Sequence, residues 1–323
     1  MTAPTALPCG LRVRPATPDD AAAVCALLNE IDILEIGRPD TELAEIQTDF
    51  KHPEVDLERD SWLLFDGARL IGYGLLWDDS GGERIDIDHY IVPGRLPGAL
   101  HLLDLMETRA AERAAANGAP RAVVHLHLTL APTMDLPALR ARGWQPVRRY
   151  NVMARRLSPS SDPLPPSRPG VSLRPCLEEA DRRRAHALLQ EAMTEHFDFQ
   201  YRTYTQWLDD IDGERVDWSL IWLAHVDGLG DAGLLRSHND RASMAWIGNL
   251  AVLRQARGRG LGSHLLRYGF GHYAALGRDR IGLGVDTDNT SNALALYERH
   301  GMTPDFGVDT WELILPVTGG GTT

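Results

Sequence analysis

Residues 255 to 262 read Gln255-Ala256-Arg257-Gly258-Arg259-Gly260-Leu261-Gly262, a composition suited to holding a phosphorylated ligand. Glycine lets a backbone approach an anion closely, and the first free N–H groups of a following helix point at it with the positive end of the dipole. Arg257 and Arg259 add mobile positive charge. The flanks fit this use. Met244 to Val252 is apolar enough for a buried strand, and Ser263 to Phe270 reads as the helix. The spacing is neither Gly-x-Gly-x-x-Gly nor Gly-x-x-x-x-Gly-Lys, so dinucleotide and nucleoside-triphosphate loops lose their main support. What remains is Gln-x-x-Gly-x-Gly after a strand.

A second segment follows one helix later. Ile281 to Val285 reads as a strand, then Asp286-Thr287-Asp288-Asn289-Thr290-Ser291-Asn292 as a turn, then Ala293 to Tyr297 as a helix. Ser291 or Asn289 can cap that helix, and Gly301, four residues past Tyr297, is a natural stop. The two segments, in this order, resemble the pyrophosphate loop and the tyrosine-bearing helix of GNAT-superfamily acyltransferases.

The resemblance implies a donor and a mechanism. Acetyl-coenzyme A or another acyl-coenzyme A would lie along Leu250, Ala251 and Val252, bonding to their backbone like an added strand. Its pyrophosphate would sit on Gln255, Arg257, Gly258, Arg259, Gly260, Leu261, Gly262 and Ser263, with Asn289, Asn292 and Tyr297 completing the cofactor site. A neutral amine would attack the thioester carbonyl, with the N–H of Leu250 or Ala251 stabilising the oxyanion. Tyr297 would protonate the departing thiolate. The base that many GNAT enzymes carry on the central strand is missing, because Asn249 cannot usefully take a proton. Glu195, His196 and Asp198, among aromatics after the first helix of that half, are the candidates to bind and deprotonate the amine. A water chain is the alternative.

Composition excludes other classes. The formal net charge of −12 disfavours a broad nucleic-acid footprint. Arginine supplies nearly all the positive charge, Lys51 being the single lysine. Clusters such as Arg182-Arg183-Arg184 read as solvated helix faces. No window approaches the roughly 18 apolar residues of a membrane span. The three cysteines, Cys9, Cys25 and Cys176, have no metal or disulfide spacing. The expectation is a cytoplasmic enzyme, monomer or dimer, without a metal, a nucleic-acid partner or a membrane anchor.

The chain divides near its middle. Residues 158 to 170 are rich in Pro and Ser and read as a semi-rigid linker. The halves open alike, with Leu11-Arg12-Val13-Arg14-Pro15 before one helix and Val171-Ser172-Leu173-Arg174-Pro175 before another. Both openings resemble a GNAT domain. The expected fold is α/β (α+β): two tandem GNAT-like domains, each a mixed, mostly antiparallel, twisted and splayed sheet flanked by helices. The expected boundaries are 1–157, 171–317 and a flexible tail 318–323. Trp144 to Leu157 would close the first sheet and Thr310 to Leu315 the second.

Only the second half keeps the motifs. In the first, Pro97 stands where the other copy has Arg257, Leu100 where it has Gly260, and Leu139 where it has Tyr297. The N-terminal half therefore reads as degenerate. The acceptor stays open within small-molecule amines, and the tandem layout resembles transferases of natural-product pathways. Delivery of the acyl group on an acyl carrier protein, and non-catalytic binding of an acyl-coenzyme A, are the other readings.

Overall fold

The structure, a computed structural model, describes residues 6–78, 80–211, 216–241, 243–288 and 293–317. The proposed tail from residue 318 lies outside them. The chain forms two compact units: residues up to Arg149 joined by those from Gly307, and Tyr150–Phe306.

The first unit contains β1 (Leu11–Arg14), α1 (Ala21–Ile36), α2 (Leu43–Asp49), α3 (Leu57–Asp60), β2 (Ser61–Asp66), β3 (Arg69–Trp77), β4 (Arg84–Ile91), α4 (Leu96–Ala116), β5 (Arg121–Thr129) and α5 (Leu136–Ala141). Next come β6 (Gln145–Arg156), β7 (Val171–Pro175), α6 (Glu179–Met193), α7 (Tyr204–Asp210), β8 (Ile221–Val226), β9 (Gly230–His238) and β10 (Ala245–Val252). The chain ends through α8 (Leu261–Ala275), β11 (Arg280–Asp286), α9 (Ala293–Arg299) and β12 (Thr303–Pro316). Most expected strands are present within a residue or two. The Asp66-Gly67 turn joins β2 to β3, with Gly67 at φ +59°. Helices α2, α3 and α7, four to seven residues each, are too short to leave a periodic signal.

The closing strands are exchanged. The first unit's sheet runs β1-β2-β3-β4-β5-β12, and β12 pairs antiparallel with β5 from Val308↔Thr129 to Pro316↔Arg121. The second unit's runs β7-β8-β9-β10-β11-β6, with β6 on β11 from Tyr150↔Asp286 to Arg156↔Arg280. This departs from the expectation that each half closes its own sheet. Alternating apolar residues specify only that one face of a strand is buried, and Trp311 and Leu313 find that burial beside Leu126 and Val124. Met153 does the same beside Leu283.

Both units are splayed. Strand β4 lies parallel to β5 only from Arg84 to Ile87, and β10 to β11 only from Ala245 to Ile247. Beyond those points the strands diverge. In the second unit alone, the β9–β10 register also slips between Ile247 and Asn249, which makes Gly248 a bulge. A Cβ there would stand 2.6 Å from Arg236 Nη2, so the guanidinium lies directly on the glycine backbone. Arg236 Nε donates to Asn249 Oδ1 at 2.7 Å and fixes the bulge's far side.

Candidate active site

The splay of β10 from β11 opens a cavity of about 450 Å³. Leu250, Ala251 and Val252 form one wall, Gly258, Gly260, Leu261, Gly262 and Ser263 one end, and Tyr297 another wall. Eight residues, 253 to 260, separate β10 from α8. Gly258 and Gly260 adopt φ +73° and +75° there, a left-handed conformation that costs other residues roughly 1–2 kcal/mol. These glycines turn the chain so that α8 begins pointing into the cavity. Among the described residues, the amides of residues 258 to 263 have no backbone acceptor; the first to find one is His264, on Gly260 O at 3.1 Å. Unpaired donors at the positive end of a fifteen-residue helix suit an anion.

The surrounding electrostatics agree. His264 is lowered below its ordinary range by burial, then by Arg168 and Arg267. Burial, then Arg267, Arg299 and Arg155, lowers His300, which hydrogen-bonds Ser263 Oγ at 2.7 Å. Two arginines, Arg257 and Arg299, line the cavity itself. Arg168, from the proline-rich linker, reaches the loop and donates to Arg259 O. Its position depends on the path of the linker, so no sequence motif announces it.

The expected loop residues divide. Arg257, Gly258, Gly260, Leu261, Gly262 and Ser263 line the cavity. Gln255 and the Arg259 side chain are exposed and do not, since Gln255 sits on a single helical turn that buries Ala256 instead. Val252 O accepts from Arg257 Nε at 3.1 Å, so this carbonyl already has a partner within the protein. Asn289 and Asn292, with Ser291, lie outside the described residues.

Tyr297, on α9, is 7% exposed. Burial alone pushes its hydroxyl up to about 12, which keeps it protonated at neutral pH. Ala293 and Leu296 share its face at helical spacing and line the same cavity, a contribution that the i, i+3, i+4 pattern could have revealed.

The three candidates for the base separate. Only His196 lines the cavity. Glu195 is exposed and accepts from Arg257 Nη1 at 2.6 Å, with Arg254 Nη1 at 3.8 Å from its other oxygen. Arg257 lowers its carboxyl below the usual range, so Glu195 is a counterion of the loop and a poor proton acceptor. Asp198 takes a left-handed φ of +49° and accepts from Gln200 Nε2 at 3.0 Å, which makes it part of a turn. Sequence proximity grouped these residues, but the end of α6 points their side chains apart. Ala192 and Met193, from that helix end, also line the cavity and were not foreseen.

The first unit has no equivalent loop. Four residues, 92 to 95, join β4 to α4, and Gly98 is packed inside, where a Cβ would meet Leu64 Cδ2 at 2.8 Å. Leu139, the counterpart of Tyr297, is fully buried in the core.

A model of the Acetyltransferase (GNAT) family matches residues 179–302, the segment that holds every wall of this cavity. Residues 179–302 are thus similar to the GNAT acetyltransferase family. Similar solved structures extend the likeness to both units. A GCN5-related N-acetyltransferase from Sphaerobacter thermophilus is 25% identical, with a TM-score of 0.79 over 98% of this chain and 100% of its own. A tandem GNAT protein from the clavulanic acid biosynthesis pathway is 18% identical, with a TM-score of 0.68 over 97% and 100%. Saccharomyces cerevisiae N-myristoyltransferase, solved with bound myristoyl-CoA, is 12% identical, with a TM-score of 0.64 over 98% and 81%. No curated protein matches the chain. The fold is that of two tandem GNAT-like domains. Among the described residues no helix is long and apolar enough to cross a membrane, and no group of His, Cys, Asp and Glu could hold a metal.

Proposed function

We propose that this protein is an acyl-coenzyme A-dependent N-acyltransferase that moves an acetyl or other short acyl group to the amine of a small molecule. The observation that carries the reading is one cavity with unpaired helix amides at Gly260 to Ser263 at its end and the protonated Tyr297 hydroxyl on its wall. The donor supplies a thioester, whose carbonyl is the electrophile. The amides of residues 258 to 263 hold the pyrophosphate, and Arg257 supplies a movable cation beside it. Past Ile247 the edge of β10 that faces β11 has lost its strand partner, so Leu250, whose backbone points away from β9, can offer its groups to the pantetheine arm and the reacting carbonyl.

Tyr297 donates its proton to the leaving sulfur. His196, the one candidate base in the cavity wall, takes the proton of the attacking amine directly or through water. The first unit, without the loop and the tyrosine, takes no donor. Isothermal titration of coenzyme A tests the reading: one site per chain is expected, abolished by Gly260→Leu. Two equal sites, or one that survives this substitution, would contradict it.

A further inference from the structure

The second unit holds a cation that the acyl-transfer reading does not use. Leu234 of β9 and Ala251 of β10 share the sheet face covered by α6 and α7, where they pack with Leu188, Leu189 and Trp207. The register sets Arg236 opposite Asn249, two residues further along that same face. Arg236 Nε donates to Asn249 Oδ1 at 2.7 Å. A Cβ at Gly248 would stand 2.6 Å from Nη2 and 2.9 Å from Cζ, so the guanidinium lies across β10 at residue 248. From there to Leu250 is two residues of strand, roughly 7 Å. Leu250 and Ala251 line the cavity, together with Ala192, Met193 and His196 from the end of α6.

Only one nitrogen of this guanidinium is occupied. Among the described residues neither Nη group has a partner, and neither is a buried orphan, so both keep access to solvent. The nearby acids are committed elsewhere: Asp210 pairs with Arg202 at 2.6 Å, and Asp240 with His238. Burial lowers the guanidinium from its ordinary value more than Asp210 and Asp240 raise it. The fold does not require such a cation. In the first unit the corresponding place, the first on that face beyond the parallel pairing, has Leu75 opposite Asp88 in an unbroken register. Bulge, arginine and anchoring asparagine therefore belong to the unit that also has the glycine loop and Tyr297.

We propose, resting on the acyl-transfer reading, that Arg236 binds the carboxylate of the acceptor, which makes the substrate class a small amino carboxylate. The free Nη groups can make paired N–H···O bonds to one carboxylate. A single negative charge also balances the single positive one, which a phosphate dianion would exceed. The span of roughly 7 Å lets an amino-acid-sized molecule set its amine at the carbonyl beside Leu250 and its carboxylate on the guanidinium. The same charge repels a second ammonium group, so diamines are disfavoured.

The Arg236 Nε–H resonance reports on this group directly. The full chain, labelled with 15N-arginine and saturated with coenzyme A, is titrated with N-acetyl-β-alanine and N-acetyl-L-phenylalanine, the acetylation products of two amino carboxylates, and with their carboxamides. Loss of the resonance in Arg236→Lys assigns it. A carboxylate should shift it saturably at millimolar concentration, and the carboxamides should not. Asn249→Asp conserves shape and gives the guanidinium a carboxylate of its own, so it should weaken the response about tenfold or more. A resonance unmoved by both carboxylates, moved equally by the carboxamides, or equally responsive in Asn249→Asp overturns the proposal. Calorimetry of coenzyme A judges the parent reading separately. Coenzyme A bound with Arg236 silent removes the carboxylate site alone, whereas no coenzyme A binding removes both.

Discussion

Arg257 Nη1 donates to Glu195 Oε2 at 2.6 Å while its Nε holds Val252 O at 3.1 Å, so one guanidinium ties the end of α6 to the end of β10. Both ends of this link border the cavity, which Arg257 itself lines. Glu195 is thus the counterion of the loop arginine and not part of the cavity wall. Its carboxylate competes with any anion for the same cation.

Kinetics can separate that role from acceptor binding. An exposed, solvent-screened pair contributes little, so Glu195→Gln should change coenzyme A affinity by less than about fivefold, toward tighter binding. Arg257→Ala should weaken it about tenfold or more, through loss of a charge-assisted bond to phosphate. The acceptor's KM should stay at the wild-type value in Glu195→Gln. Calorimetry on both variants, with acceptor kinetics on the first, checks the assignment; a raised acceptor KM would return Glu195 to the acceptor pocket.

Gly260 makes a sharper test because backbone and ligand act there together. Its φ of +75° opposes any side chain, and a Cβ would also stand 3.4 Å from Arg168 Nη1. Gly260→Leu should therefore cost roughly 1–2 kcal/mol in stability from the backbone alone. Coenzyme A affinity should fall much further, because the α8 amides lose their approach to phosphate. Gly284→Ala is the control: nothing lies within 4 Å of its Cβ and its φ is ordinary, so it should alter neither quantity appreciably. Melting curves with and without coenzyme A provide both readouts.

The parts of the site legible in sequence are those made by contiguous residues with fixed backbone demands. Gly258 and Gly260 announced the turn, and Tyr297 with Gly301 announced α9. Glu195 falls outside the cavity wall because three closely spaced residues past a helix end point in different directions, and no local pattern says which one faces the cavity. Arg168 and Arg236 were invisible for another reason. The first acts across 91 residues of chain and the second beneath a bulge, Gly248, that only the β9–β10 register reveals. Strand exchange escaped for the same cause, since pairing partners are not written into a strand's own alternation.

Tyr297 gives the pH prediction. Its hydroxyl, pushed up to about 12 by burial, remains a proton donor throughout the neutral and mildly alkaline range. Tyr297→Phe should lower kcat about tenfold to hundredfold and leave coenzyme A affinity intact. Any alkaline limb of the wild-type kcat profile below pH 10 should persist in the variant, because Tyr297 does not titrate there. The raised pKa also has a stability consequence. Its contribution is fully present below the unfolded tyrosine's pKa near 10 and is lost as pH rises through about 12. Denaturant titrations between pH 9 and 12 should show Tyr297→Phe losing less stability than wild type; equal losses would mean that the hydroxyl is not desolvated.

The exchanged strands predict how the chain can be divided. A cut in the proline-rich linker, at Pro165, follows the halves of the sequence but leaves the first unit without β12 and the second without β6. The lost strands are not peripheral. Trp311 is 2% exposed in the first unit's core, and Met153 is fully buried in the second's. Each fragment would expose the edge of β5 or of β11, an open row of backbone donors and acceptors. Fragments 1–165 and 166–323, expressed separately, should therefore be poorly folded or aggregate, and together they should recover both the native fold and coenzyme A binding. A single substitution makes the same point without a cut. Trp311→Ala should cost about 3–5 kcal/mol and destabilise the first unit, although it lies near the C-terminus of the chain. Hydrogen exchange in this variant should show protection lost first in β5 and α4, with α8 and β9 retaining theirs. Fragment 166–323 folding alone and binding coenzyme A at full affinity would show that β6 is dispensable to its sheet.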